Sequence, residues 1–443
     1  MADVATTFST LANDAPNVYI ARETYRLAER NLRVGKYAKM HSLPQRMSKT
    51  LRIVRHSRLV LPTGTLTEGT PPDAIALAVE NVDVTVEQWG IVVLLTDVAL
   101  ITTQHPALQV AIDRTALAMA EVLEREQCVM LMAGTQVYYK GAVTTRASIG
   151  ATDYLDNATV LKALTALRNK GAGEYEGGLF AGCMSPQSEA DLVSADQTFK
   201  DASNFANVRA LQYAEIGIWG GTRWGRSNFL PAFKGQSTPD AAGTSGTLDA
   251  GTAKPQVTAV DGGGTIVSAT NFKFAVVFRD KTSDYERHIT QDSANIMSAA
   301  TGNNESFTIT VAAAWIVNYT YDVYMTVAGG AGSLFKVASR QTGLTTTITA
   351  VPAGTEAVKP VAPAATREVF VAWVFGKDSF GRVELNGMSL QSYITPQGAS
   401  WSNPLAQGRK VGSKIMWKSF IIDNNFFARI ESASQFSAGF PTG

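Results

Sequence analysis

The sequence predicts an α+β fold that is interrupted by an inserted all-β domain. Residues 105–132 form an amphipathic pattern with proline only at its first turn, which predicts one long helix. Residues 235–366 are rich in threonine, alanine and glycine and contain period-two apolar runs but no convincing helix. From residue 368 the mixed helix and strand patterns of the first half resume. The simplest arrangement is a β-sandwich, immunoglobulin- or fibronectin-like in its strand spacing, inserted into one larger domain.

The length and composition allow a large buried core. The chain has 443 residues, of which 45% are hydrophobic and 17% charged, enough for two or three domains. A formal net charge of +1 argues against a dedicated nucleic-acid-binding protein, because such proteins are usually basic overall. Cys128 and Cys183 provide no disulfide framework, and we expect both to be buried. The N-terminus lacks a signal-peptide pattern and no apolar run is long enough to cross a membrane, so we expect synthesis inside a cell and no membrane partner.

Basic residues are concentrated in the first sixty positions, where eleven lysines and arginines stand against four acidic residues. They are Arg22, Arg26, Arg30, Arg33, Lys36, Lys39, Arg46, Lys49, Arg52, Arg55 and Arg58. Two interpretations stay open: a solvated basic arm, or a segment that docks on an acidic neighbour or lies near nucleic acid.

The next segment predicts a long hairpin or loop that stands away from the body. Residues 51–61 and 75–90 have extended patterns, and the segment between them is rich in glycine, proline and threonine. Residues 91–101 are almost continuously aliphatic, which predicts a buried strand.

The predicted long helix would span roughly 40 Å, which suits a structural spine. Its apolar stripe is Leu108, Ala111, Ile112, Met119, Val122, Leu123, Val129 and Met130. Glu121, Glu124 and Arg125 are predicted to lie on the opposite, solvated side.

No pattern in the chain predicts catalysis, a metal or a cofactor. Residues 408–414 and 171–177 lack the spacing of phosphate and dinucleotide loops. Glu68 and Asp73 fall in the predicted loop, where solvated carboxylates are far more common than acid–base catalysts. The histidines have no metal-ligand spacing and are expected to be surface or loop residues: His41, His56, His105 and His288. We therefore expect a protein that is not an enzyme.

Two groups of short sequence blocks carry a resemblance. The first comprises Leu43-Pro, Lys-Thr-Leu-Arg-Ile (49–53), Leu-Thr-Glu-Gly-Thr-Pro-Pro-Asp (66–73), Val-Glu-Gln-Trp-Gly (86–90) and Thr96-Asp97. The second comprises Asn-Pro-Leu-Ala-Gln (403–407), Val411-Gly412, Trp417-Lys418, Ile-Ile-Asp-Asn (421–424) and Ala-Arg-Ile-Glu (428–431). Together they resemble the major capsid proteins of the tailed phages named after coliphage N-four. The chain departs from that family's pattern at Trp89, where the family usually has tyrosine, and at Asn403, where it usually has aspartate.

The resemblance implies an HK97-like capsid fold with an N-terminal arm, an extended loop, a spine helix, and peripheral and axial domains. The implied boundaries are 1–50 for the arm and 51–102 for the extended loop and peripheral strands. Residues 103–235 would hold the spine helix and the first part of the peripheral and axial domains. Residues 236–365 would be the inserted immunoglobulin-like sandwich, and 366–443 the return to the axial and peripheral domains.

The resemblance also implies a function. The chain would be a major capsid protein, made in the host bacterial cytoplasm, that assembles into pentamers and hexamers of an icosahedral head around double-stranded DNA. Its partners would be other copies of itself, a portal, scaffold or decoration proteins, and packaged DNA through non-specific contacts. The residues expected to take part in assembly are Arg46, Lys49, Arg52, Arg55, Leu66, Glu68, Gly69, Trp89, Trp417 and Lys418.

Two alternatives belong to other classes. A phage tail protein can also carry added immunoglobulin-like domains, but it should be richer in strands and lack the long helix. A hydrolytic enzyme with an accessory sandwich would need a pair of carboxylates on rigid strands.

Overall fold

The structure, a computed structural model, describes residues 32–46, 48–56, 59, 61, 64–65, 75–102, 107–175, 177–195, 215–241, 253–298, 305–327, 329–388, 390–395 and 407–437. The N-terminal arm before residue 32 and the bend at 66–74 lie outside these residues. The chain divides into two units, one of residues 1–29, 35–131 and 378–423 and one of residues 30–34, 132–377 and 424–443.

The described residues form five α-helices: α1 (Asp97–Thr102), α2 (Ala107–Met132), α3 (Asn157–Asn169), α4 (Pro186–Ala195) and α5 (Ala313–Asn318). Short 3-10 helices lie at Val34–Tyr37 and Arg146–Ser148. Side chains cap helices α3 and α4: Asp156 accepts from the Thr159 amide at 2.9 Å, and Ser185 accepts from the Ser188 amide at 3.2 Å. None of the described helices is both long enough and apolar enough to span a membrane.

The described strands of the first half are β1 (Lys39–Leu43), β2 (Thr50–His56), β3 (Val79–Thr85), β4 (Glu87–Thr96), β5 (Val137–Tyr138), β6 (Phe180–Met184), β7 (Glu215–Trp219), β8 (Thr222–Arg226), β9 (Ala232–Gln236) and β10 (Asp240–Ala241). Those that follow are β11 (Gln256–Val260), β12 (Asn271–Phe272), β13 (Phe274–Asp280), β14 (Glu286–Thr290), β15 (Ile296–Met297), β16 (Ser306–Thr310), β17 (Tyr319–Thr326), β18 (Leu334–Gln341) and β19 (Thr345–Ile348). The last are β20 (Glu368–Phe375), β21 (Phe380–Leu385), β22 (Gln391–Ile394), β23 (Gly408–Ile421) and β24 (Phe427–Ser432).

The first unit is built around one five-stranded sheet and one hairpin. The sheet has the order β1-β21-β23-β22, and β4 also pairs with β23. Strand β23 is antiparallel to β4 over ten residue pairs, from Gly408 opposite Thr96 to Trp417 opposite Glu87. Strands β2 and β3 form the separate two-stranded hairpin.

Helix α2 packs along β23 because their repeats nearly match. Ala111, Thr115 and Met119 are four residues apart, a rise of about 6 Å in a helix. The strand residues that face them are two positions apart, and two residues of a strand span about 6.7 Å. Ala111 clusters with Val411, the hydroxyls of Thr115 and Ser413 lie 3.1 Å apart, and Met119 clusters with Ile415 and Trp417. The predicted spine helix is therefore held by every second residue of one long strand.

Two predictions in this unit were wrong. The aliphatic run 91–101 is not one buried strand: Val92 is 65% exposed, and the strand ends at Thr96. The Thr96 hydroxyl accepts from the Ala99 amide at 3.3 Å and starts helix α1. Glu124 is buried rather than solvated, because its carboxylate accepts the Gly35 amide at 2.9 Å.

The second unit contains a sheet of eleven strands. Its main path is β18-β17-β13-β14-β9-β20-β6-β8-β7, and β24 joins β20 to β5. The buried strand β20 lies inside this path, with β24, β6 and β9 as hydrogen-bonded partners. Cys183 on β6 and Cys128 on α2 are both buried, as predicted.

Within residues 240–348 two sheets share a core. One is the four-stranded sheet β10-β11-β16-β19, and the other is the β18-β17-β13-β14 end of the large sheet. Val257, Phe307, Val276 and Val323 contribute to one buried cluster, so the two sheets form a sandwich. The large sheet continues out of this sandwich, because β14 pairs in parallel with β9.

Two residues of the sandwich correct the sequence predictions. The region contains a short helix, α5, whose Trp315 is buried and stacks on Phe278 at 4.2 Å. His288 is 8% exposed on β14 and not a surface histidine. Its Nδ1 lies 2.9 Å from the amide nitrogen of Gln236, and its Nε2 lies 3.2 Å from the Tyr319 hydroxyl.

A buried charged cluster holds the C-terminal strand β24. Arg146 donates two hydrogen bonds to Glu431, at 2.9 and 2.6 Å, and a third to the Val361 carbonyl at 3.1 Å. Arg429 lies 3.0 Å from the same carboxylate. Burial alone would raise the pKa of Glu431, but the hydrogen bonds and charge of Arg146, with the charge of Arg429, hold this pKa below its ordinary value.

Candidate assembly surface

The β2–β3 hairpin has two different faces, because side chains alternate along a strand. The register places Ile53 opposite Val82 and Arg55 opposite Glu80. Leu51, Ile53, Val82 and Val84 pack with Val383 and Phe420 of the five-stranded sheet. We call this the inner face of the hairpin. The base of the hairpin is therefore attached to its own sheet by apolar contacts.

The outer face of the hairpin carries Arg52, Val54, Val79 and Asp83. Arg52 makes two hydrogen bonds to Asp83 across the strands, at 2.6 and 2.7 Å. The hydrogen bond with Arg52 lowers the pKa of the Asp83 carboxyl. Val54 and Val79 are 52% and 48% exposed.

Apolar side chains beyond the base of the hairpin find no cover in their own subunit among the described residues. They are Val54, Leu59, Leu61, Ile75, Leu77 and Val79, each about half exposed or more. Leu61 is 82% exposed. Scattered single apolar residues need no explanation, whereas six exposed ones on the hairpin and on the described residues that follow its two strands are typical of an interaction surface. The hairpin is the candidate assembly surface of this chain.

Arg55 differs from Arg52 because it lies on the inner face. It pairs with Glu80 on β3, and its Nη1 also donates to the Ile422 carbonyl at 3.2 Å. The same nitrogen lies 3.0 Å from the Asp423 carboxylate. The hydrogen bond to Glu80, and to a lesser degree the charge of Asp423, raise the pKa of the guanidinium.

Three of the predicted assembly residues lie together near helix α2. Trp89 is half-buried and packs in one cluster with Trp417 and Met119, while Arg125 lies over its ring at 5.8 Å. Lys418 pairs with Glu87 at 2.7 Å on the surface. Trp417 is only 1% exposed. In the described subunit Trp417 is therefore a core side chain.

The other predicted residues are dispersed. Lys49 lies at the base of the hairpin, where its carbonyl accepts the Val86 amide at 3.0 Å. Arg46 lies in the turn after β1 with a φ of 64°, in the left-handed region. Leu66, Glu68 and Gly69 lie outside the described residues. The assembly roles of all ten residues stay predictions.

Sequence reasoning missed the acidic partners Glu80, Asp83 and Asp423. A signal for the first two was present, since the two arms carry opposite charges at positions that a regular hairpin register brings face to face. Asp423 had no such signal. Within the described ranges no three His, Cys, Asp or Glu side chains are close enough together to hold a metal ion.

Comparison with solved structures gives the fold. The chain is similar to the capsid protein of cyanophage Pam1, with a TM-score of 0.51 and 12% identity over 99% of this chain and 100% of that one. It is also similar to the capsid protein of Ralstonia phage GP4, with a TM-score of 0.50 and 10% identity over 99% and 100%. The chain has a phage capsid fold. No protein-family model and no curated protein sequence matches it.

The capsid fold confirms the α+β, HK97-like class that the sequence predicted. Both similar chains are covered from end to end, so the likeness extends over the whole architecture and not over one motif. The narrower resemblance to the N-four family and the immunoglobulin-like class of the sandwich stay predictions.

Proposed function

We propose that this chain is the major capsid protein of a tailed phage, which assembles into pentamers and hexamers of an icosahedral head around double-stranded DNA. The observation that carries the proposal is the projecting hairpin with its uncovered apolar side chains, in a chain with the capsid fold. The role is structural and requires no catalytic residue. Its place is the virion, and its further partners would be a portal, scaffold or decoration proteins, and packaged DNA.

The physical reason for assembly is burial. A fully exposed apolar side chain gains about 1.5 to 3 kcal/mol when it is completely buried, and a half-exposed one gains correspondingly less. Among the described residues of the subunit nothing covers the exposed side chains of the hairpin. A neighbouring copy can cover it through a heterologous contact, in which two different surfaces meet. Heterologous contacts that close produce rings, and rings of five and six are the units of an icosahedral shell.

Purified protein is expected to form rings or closed particles, and a Leu77→Asp, Val79→Asp variant is expected to remain a folded monomer. Both positions are about half exposed in the subunit, so charges there disturb assembly and not folding. Val317→Asp is the control, because Val317 is 67% exposed on helix α5 of the sandwich. Size-exclusion chromatography with light scattering and negative-stain microscopy measure the outcome. Wild-type protein that stays monomeric at high concentration would contradict the proposal.

We also propose that residues 236–365 are an insertion displayed on the outer surface of the shell. Its two ends are adjacent: the Gly235 amide donates to the Arg367 carbonyl at 2.9 Å, and the Thr366 amide donates to the Gly235 carbonyl at 3.0 Å. A short linker can therefore replace the insertion without separating β9 from β20.

Deletion of residues 236–365 is expected to give a soluble subunit that keeps the long helix but unfolds at a lower temperature. The loss has a definite cause, since β9 would lose its pairing with β14 and become an edge strand. Circular dichroism and thermal unfolding measure both effects. Complete insolubility of the deletion variant would show that the sandwich is required for folding.

A further inference from the structure

Arg55 lies at the point where the hairpin leaves the sheet. Ile53 and Val82 are the outermost apolar pair that packs on the inner face. The next pair facing the same way is Arg55 and Glu80, two residues further out on each strand. The inner face therefore changes from apolar packing to charged contacts at this pair.

One guanidinium joins three segments of the chain there. Arg55 belongs to β2, and its Nε donates to Glu80 of β3 at 3.1 Å. Its Nη1 reaches the Ile422 carbonyl and the Asp423 carboxylate, just beyond the end of β23. The planar, forked guanidinium can make these contacts at the same time, which a lysine ammonium cannot reproduce in the same geometry. Both strands of the hairpin are thus tied to the end of the sheet's longest strand.

We propose that Arg55 is a positioning residue that sets the angle at which the hairpin projects from its subunit. This role rests on the proposed function, because the angle matters only if the hairpin must reach a neighbouring copy. Arg55 is 42% exposed, so its ion pairs contribute little to the stability of the fold. A weak contact at the base of a long element can still select one orientation, and from the usual strength of an exposed pair we expect a selection of about fivefold.

The test uses two arginines of the same hairpin. Arg55→Ala removes the link to residues 422 and 423 together with one cross-strand pair. Arg52→Ala is the matched control, because it removes the cross-strand pair with Asp83 on the outer face and leaves the contacts of Arg55 in place. Asp423→Asn weakens the link between Arg55 and the end of β23 and leaves the Glu80 pair in place.

Spin labels at Leu61→Cys on the hairpin and Met40→Cys on β1 report the angle in the subunit. Both positions are exposed, at 82% and 51%, and the native cysteines are buried and should not react. Pulsed dipolar spectroscopy is expected to give a broader distance distribution for Arg55→Ala, and a smaller broadening for Asp423→Asn. Arg52→Ala should match the otherwise unmodified labelled protein, with equal melting temperatures throughout. Equal distributions for Arg55→Ala and Arg52→Ala would overturn the proposal.

Assembly gives the second readout. Arg55→Ala is expected to lower the yield of regular closed particles about fivefold relative to Arg52→Ala, because each subunit must first find the productive hairpin angle. Raising the ionic strength should bring wild-type protein towards the Arg55→Ala behaviour, since salt screens the exposed pairs. If neither wild type nor Arg52→Ala assembles, the proposed function fails, while the spin-label distances still decide whether Arg55 sets the angle.

Discussion

Replacing Glu431 by alanine is expected to lower the free energy of unfolding by about 3 to 5 kcal/mol, the cost of removing one partner from a buried ion pair. Glu431 is 1% exposed and accepts two hydrogen bonds from Arg146, which is itself buried. Without the carboxylate, the guanidinium of Arg146 and that of Arg429 would face each other in a region that excludes water. Chemical unfolding followed by circular dichroism measures the loss. Glu87→Ala is the control, since Glu87 pairs with Lys418 at the surface, and it should change the stability by less than about 1 kcal/mol.

The same buried charged cluster predicts that the stability of the fold depends on pH. The pKa of Glu431 is lower in the folded chain than its ordinary value of 4.5, so the unfolded chain takes up this proton first as the pH falls. The stabilisation from the carboxylate is complete above pH 4.5 and is lost as the pH falls through the folded-state pKa. The stability gap between wild type and Glu431→Ala should therefore be constant near neutral pH and narrow in acid. A gap that widens in acid would exclude a charged Glu431 in the folded protein.

Replacing Trp417 by alanine is expected to destabilise the subunit by about 3 to 5 kcal/mol, the usual cost of emptying a buried aromatic site. Trp417 packs with Met119 of α2 and Ile415 of β23, so the cavity would open between the spine helix and the sheet. If this variant forms no particles, we expect the cause to be unfolding of the individual subunit. Urea unfolding of the dissociated protein measures the stability of the subunit separately from its ability to assemble.

Trp417→Phe is the matched variant. Among the described residues the indole N–H of Trp417 has no acceptor, so phenylalanine keeps most of the apolar contact and removes an unsatisfied donor. We expect Trp417→Phe to lower the free energy of unfolding by much less than Trp417→Ala does. If Trp417→Ala kept full stability but failed to assemble, Trp417 would act at an interface between subunits, the role predicted for it from the sequence.

Local patterns made the main elements of the fold predictable. The apolar stripe of α2, the period-two arms of the hairpin and the threonine-rich strands of the sandwich are all patterns of residues close together in the sequence. Whether a residue is covered by a distant segment is not a local property. Glu124 was misplaced for this reason, because it accepts an amide 89 positions away, and the packing of α2 over Trp417 could not be predicted either.

The candidate assembly surface likewise depends on contacts between distant segments, which local sequence patterns do not show. The opposite charges of the two arms were visible in the sequence, with arginines on β2 and acidic residues on β3. The inner and outer faces of the hairpin were not distinguishable until the sheet beneath it was known. Arg52 and Arg55 read alike as basic residues on one strand. Only the structure shows that Arg55 reaches a carbonyl 367 positions away, and no periodicity could have indicated that contact.

The parallel pairing of β14 with β9 has a mechanical consequence. A domain attached through a loose tether would swivel freely, and anything fused to it would point in many directions. Here the attachment is a continuous sheet, reinforced by the Tyr285 hydroxyl, which donates to the Phe229 carbonyl at 3.1 Å. A peptide grafted onto the turn between β13 and β14 would inherit the stiffness of that sheet. On a multi-copy particle it would be presented as a regular lattice of identically aimed epitopes.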